Sequence, residues 1–179
     1  MNRKLTKFRI LMLIVLMTPM AIISLLSNEA LALSSGDGAE NIVITLNTDP
    51  TKDPEPACVA LQIGMNLLMT DLDGDGFDDV VAANSVTLFV TTGGVELINP
   101  DNSIYNRNKP KSVCTTPFGV NTASLQELLQ GFAEIENADI VICPLCASSR
   151  GIEYPVAGHM GTSIEIHDLF LDADKVITF

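Results

Sequence analysis

Asn41-Ile42-Val43-Ile44-Thr45-Leu46-Asn47 carries too many consecutive apolar, β-branched side chains for a strand with one wet face. Such a run fits a strand buried on both faces, the signature of a parallel sheet covered by helices. Two further runs share the pattern, Val86-Thr87-Leu88-Phe89-Val90 and Ile140-Val141-Ile142, and Val176-Ile177-Thr178-Phe179 closes the chain in the same style. Between them lie helical patterns. Pro56 suits a helix start, and Val59, Leu61, Ile63, Leu67 and Leu68 support three to four turns. Ser124-Leu125-Gln126-Glu127 has capping-box spacing and opens a second helix through Leu128, Leu129 and Phe132, and Ser163 to Phe170 reads as a third. The order predicts an α/β fold: a single, mostly parallel sheet with helices on both faces.

The amino terminus reads differently. Arg3, Lys4, Lys7 and Arg9 precede an apolar stretch from Ile10 to Leu26 that closes on Ala30-Leu31-Ala32, the pattern of a signal peptide spanning residues 1–32. An uncleaved membrane anchor is the alternative, against which the run is slightly short and holds Pro19. Residues 33–40 are then a flexible leader and 41–179 the folded domain, in the periplasm or outside the cell. Cleavage would remove four positive charges and Glu29, taking the net charge from −12 to −15. A domain this acidic is repelled by nucleic acid and by anionic membrane surfaces, and with no basic run to reverse that locally nucleic acid is excluded as a partner.

The third strand ends on Cys143-Pro144-Leu145-Cys146. The carboxyl edge of an open α/β sheet is where reactive groups gather, and a helix start there is expected to favour a thiolate. Cys58 and Cys114 are left as a possible structural disulfide, while the close pair either bridges to itself or serves chemistry. Ala147 in place of His excludes covalent c-type haem, and zinc on the pair would need two more ligands. No G-x-G-x-x-G, Walker loop or nucleophile elbow is present, so no organic cofactor is expected. His159, flanked by Gly158 and Gly161, reads as a solvated loop residue within reach of the thiols, and His167 as structural.

Asp71-Leu72-Asp73-Gly74-Asp75-Gly76-Phe77-Asp78-Asp79 places carboxylates at relative positions 1, 3, 5 and 9 with Gly at 6, the oxygen-rich spacing that Ca²⁺ requires. Five carboxylates within nine residues repel one another unless a cation neutralises them. The expected ligands are Asp71, Asp73, Asp75, the Phe77 carbonyl and Asp79, in a structural role. Ala82 stands where an EF-hand has its bidentate Glu, so the loop is closer to dockerin-like and integrin-type calcium loops. Asn99 to Val120, with Arg107, Lys109 and Lys111, is long enough for a lid or partner surface.

Leu88-Phe89-Val90-Thr91-Thr92-Gly93-Gly94-Val95-Glu96-Leu97, Leu125-Gln126-Glu127-Leu128-Leu129, Val141 to Cys146 with Arg150-Gly151, and the closing Ala173-Asp174-Lys175-Val176-Ile177-Thr178-Phe179 together resemble the DsrE/DsrF-like family over 41–179. The resemblance implies a compact α/β domain assembled into trimers or hexamers. It also implies sulfur relay through a persulfide on the residue matching Cys143, with a sulfur donor or acceptor protein or small thiol as partner. Arg150, about two helical turns on, is expected to favour the thiolate or an anionic substrate, and Cys146 to resolve the persulfide. The signal peptide, the Asp-rich loop and the second cysteine depart from the sulfur-relay members. Two other readings stay open: a thiol–disulfide oxidoreductase using Cys143 and Cys146, and a non-enzymatic, calcium-stabilised binding module. The pair comes later in the chain than in thioredoxin itself.

Overall fold

A computed structural model describes residues 40–78, 80–102, 113–115 and 122–179. Residues 1–32, expected to be a signal peptide, most of the expected leader at 33–40, Asp79 and the Arg107, Lys109, Lys111 cluster lie outside the described residues. Five strands form one sheet: β1 (Asn41–Leu46), β2 (Ser85–Val90), β5 (Ala138–Ile142), β6 (His159–Met160) and β7 (Lys175–Thr178). Their order is β6-β5-β2-β1-β7, and every pairing is parallel. The all-parallel sheet with helices bears out the predicted fold class. A separate hairpin, β3 (Val113–Thr115) with β4 (Thr122–Ser124), is antiparallel.

The pleat explains the apolar runs. Ile42, Ile44 and Leu46 of β1, with Val86, Leu88, Val90, Ile140 and Ile142, face one side and meet Leu61 of α1 (Glu55–Leu68) and Leu125, Leu129 and Phe132 of α2 (Leu125–Ala133). Val43, Phe89 and Val141 face the other, where Ile166, Leu169 and Ala173 cover them. That cover is α4 (Ser163–Leu171) with Ala173 just past its end, and Phe170 meets Phe89 edge-on with ring centroids 5.3 Å apart. Burial on both faces therefore follows from two unequal helical layers.

Local chemistry fixes the helix starts. Glu127 N donates to Ser124 Oγ at 3.2 Å and Ser124 N donates to Glu127 Oε2 at 2.7 Å, the reciprocal cap expected from the sequence. Thr162 and Glu165 form a second such box at α4. Cys58 of α1 and Cys114 of β3 form a disulfide that ties the hairpin to the core.

Two expectations are corrected. The helix that starts between the two cysteines, α3 (Pro144–Ser148), has only five residues, so Arg150 lies beyond its end instead of two turns along it. His159 belongs to β6, where it aligns with Val141, and is held by carboxylates instead of sitting in an open loop. Among the described residues, no helix is long and apolar enough to cross a membrane.

Candidate thiol site

Strands β2 and β5 are neighbours, so their carboxyl ends deliver Thr91 and Cys143 to one edge of the sheet. Cys143 N donates to Val90 O at 3.0 Å, extending the ladder by one residue into the cysteine pair. Pro144 then starts α3, and Ala147 N closes its first turn on Cys143 O at 3.0 Å. This turn brings Cys146 back against the segment after β2. Both cysteines are free thiols and half-buried.

The partners converge on Cys146. Thr91 Oγ1 lies 3.3 Å from Cys146 Sγ. Burial pushes the Cys146 thiol up, but hydrogen bonds from the Cys143 thiol, the Thr91 hydroxyl and the Thr92 N–H, with the Arg150 charge behind them, hold it below its ordinary range. The Thr92 backbone is left-handed at φ +46°, a conformation that costs a β-branched residue about 1–3 kcal/mol. Its hydroxyl is anchored on Asn47 O at 2.8 Å, and its N–H meets the sulfur.

Arg150 folds back from beyond α3. Its Nη1 donates to Cys146 O at 3.2 Å, and its Nε lies 3.4 Å from Glu96 Oε1. Glu96 belongs to the 3₁₀ segment Thr92–Ile98, which follows β2 directly. The guanidinium is thus pinned between the two loops of the site. The help expected of a helix dipole falls instead to the neighbouring thiol, one hydroxyl, one N–H and one arginine.

Sequence reasoning named Cys143, Cys146 and Arg150, and the structure brings all three together. It missed Thr91, Thr92 and Glu96 as site residues. The available signal was Thr91-Thr92-Gly93-Gly94 at the end of a buried strand, where a polar pair meets the glycines of a tight connection.

The Asp-rich loop forms a second cluster. One carboxylate oxygen each from Asp71, Asp73 and Asp75 lie within 4.8 Å of one another. Asp71 accepts from Gly74 N at 2.7 Å and Gly76 N at 2.9 Å, Asp73 from Asp75 N and Asp75 from Phe77 N. Gly76, at φ +89°, makes the sharp turn that the spacing requires. The Phe77 ring is exposed. The second histidine, His167, lies against Asp168 at 2.9 Å on the surface of α4.

No protein-family model matches this chain, and no curated protein matches it.

Proposed function

We propose that the Cys143–Cys146 pair carries out sulfur transfer, with one thiolate held at the carboxyl edge of the sheet. The observation that carries this reading is the convergence of Thr91, Thr92 and Cys143 on Cys146 Sγ, with Arg150 held on the Cys146 carbonyl beside them. A thiolate is the nucleophile in every such reaction, and these groups favour it. The Cys146 thiolate attacks the outer sulfur of a donor persulfide. A new S–S bond forms, the donor S–S bond breaks, and its electron pair leaves on the donor thiolate. An acceptor thiolate then takes the outer sulfur and returns the pair of electrons to Cys146. In this scheme Cys143 is the hydrogen-bond donor that steadies the thiolate. The DsrE/DsrF-like resemblance puts the persulfide on Cys143 instead, so the two single variants separate the assignments. With glutathione persulfide as donor and cyanide as acceptor, thiocyanate formation is expected to be lost in Cys146→Ser and only reduced in Cys143→Ser. Full activity in Cys146→Ser would refute the assignment.

Thiol–disulfide exchange is the second reading, favoured by the hydrogen bond between the two thiols. There Cys146 attacks a substrate disulfide and one thiolate leaves. Cys143 releases its proton to solvent and displaces the second thiolate, so the pair is oxidised as the substrate is reduced. Reduction of an added disulfide, with no sulfur passed to cyanide, would select this reading. Leu145, between the cysteines and 81 % exposed, offers an apolar contact to a protein donor or acceptor.

The Asp-rich loop is read as a structural Ca²⁺ site. Three carboxylates already gathered on a glycine turn fit a hard cation that takes only oxygen ligands. Ca²⁺ at about a hundred times its dissociation constant is expected to stabilise the fold by about 2.7 kcal/mol. Calorimetry should show binding that Asp73→Ala with Asp75→Ala abolishes; heat unchanged in that variant would refute the site. Export is supported by the Cys58–Cys114 disulfide, since such bonds persist in oxidising compartments. A homo-oligomer, trimer or hexamer, is supported by exposed Ile164 and Leu171 on α4 and Val176 on the edge strand β7.

A further inference from the structure

The face of the sheet under α4 is only partly filled. A cavity of about 480 Å³ lies between α4 and the strands, lined by Asn41, Ser85, Thr87 and Val141 from the sheet side and Leu169 from the helix. Four carboxylates complete its wall, Asp139, Glu165, Asp168 and Asp172, and among the described residues no lysine or arginine lines it. A cavity with this lining attracts cations.

At its rim, three elements bring three metal-ligating side chains together around the His159 ring. Asp139 precedes Val141 by two residues in β5 and so shares its face, the one covered by α4. His159 of β6 pairs with Val141 across the parallel ladder. Gly158 allows this approach: its φ is +76°, and a Cβ there would lie 2.4 Å from Ile140 O. Glu165 comes from the first turn of α4, where Oε2 accepts from Thr162 N at 3.1 Å while Oε1 faces the imidazole. His159 Nε2 lies 2.5 Å from Glu165 Oε1, and Nδ1 lies 3.6 Å from Asp139 Oδ1. One donor atom from each residue lies within 4.8 Å of the others. Donors sharing one tetrahedral zinc ion, with bonds of about 2.0–2.2 Å, stand roughly 3.3–3.6 Å apart, so binding requires the short Glu165–His159 contact to open and Asp139, which faces Nδ1, to turn toward the nitrogen that takes the metal.

We propose that Asp139, His159 and Glu165 bind a divalent first-row transition metal whose remaining coordination positions open onto the acidic cavity. An imidazole among the donors selects a metal of the zinc class over calcium or magnesium, which take oxygen ligands. Asp168 and Asp172 add negative charge on the cavity side, suited to a cationic or metal-bound group. The site shares only β5 with the thiol pair and no element with the Asp-rich loop, and it stands independently of the sulfur-transfer reading.

The test is calorimetric titration of Zn²⁺ into the Cys143→Ser, Cys146→Ser protein in excess Ca²⁺, which silences the thiols and saturates the Asp-rich loop. One Zn²⁺ per chain is expected to bind. His159→Gln, Asp139→Asn and Glu165→Gln should each weaken binding by at least about tenfold. Glu165→Gln keeps the helix cap, because Gln serves at that position of a capping box, so lost binding there cannot be ascribed to a lost cap. Co²⁺ in place of Zn²⁺ should give a visible absorption band that His159→Gln removes. No Zn²⁺ uptake, or uptake that all three substitutions leave unchanged, would overturn the proposal and leave the cluster an ion pair.

Discussion

Replacing Cys58 and Cys114 together by alanine tests how the hairpin is tied to the core. The bridge spans a sequence separation of 56. In the chain-entropy description, closing a loop of that length removes about 14 cal/mol/K from the unfolded ensemble, or about 4 kcal/mol at 25 °C. Both cysteines are buried, at 7 % and 1 % exposure, so losing their sulfurs adds to the cost instead of offsetting it. Domains commonly hold only about 5–15 kcal/mol in total, so the variant should be severely weakened. Urea unfolding followed by far-ultraviolet circular dichroism is the assay. The midpoint should fall, and the denaturant slope should rise, because an uncrosslinked chain exposes more surface when unfolded. Substitution is preferable to reductant, which would also act on Cys143 and Cys146. A loss below about 1 kcal/mol with an unchanged slope would refute the reasoning, since it would mean that the unfolded chain gains nothing from release.

Gly64→Ala should destabilise: its Cβ would lie 2.7 Å from Phe132 Cε2, and overpacking costs about 1–3 kcal/mol against about 1 kcal/mol gained in helix propensity. In a Phe132→Leu background the same change should become neutral or stabilising, and thermal melts of the four proteins would expose the coupling; a more stable Gly64→Ala single variant would contradict it. Cys146 should alkylate as a thiolate at pH values below the ordinary thiol range, because its pKa is lowered in the fold. Its rate should fall only as pH drops through that lowered value, and Thr91→Val should move the profile upward. A profile like that of a free cysteine, unmoved by Thr91→Val, would show that the hydroxyl does not act on the sulfur.

The parallel sheet was legible because β1 and β2 are buried on both faces, which leaves an unbroken apolar run in the sequence. The cap at Ser124 was legible because its two partners are three residues apart. Thr162 and Glu165 follow the same rule, and that spacing was available unread. Other features depend on contacts that no local pattern records. β6 has only two residues, too few for periodicity, and its pairing with β5 decides where His159 goes. Arg150 could not be placed because α3 ends after five residues, and its position is set by Glu96 from a distant loop. Thr91 and Thr92 gain their meaning only from the adjacency of β2 and β5.

The most direct test of the thiol account is peptide-level mass spectrometry after brief exposure to a persulfide donor and trapping with an alkylating agent, without reductant. The account predicts one extra sulfur on Cys146, lost when an acceptor thiol is added. Both cysteines lie in one short segment, so fragmentation between them must assign the sulfur. A Cys143–Cys146 disulfide that never takes up sulfur, before or after reduction and re-exposure, would contradict sulfur transfer.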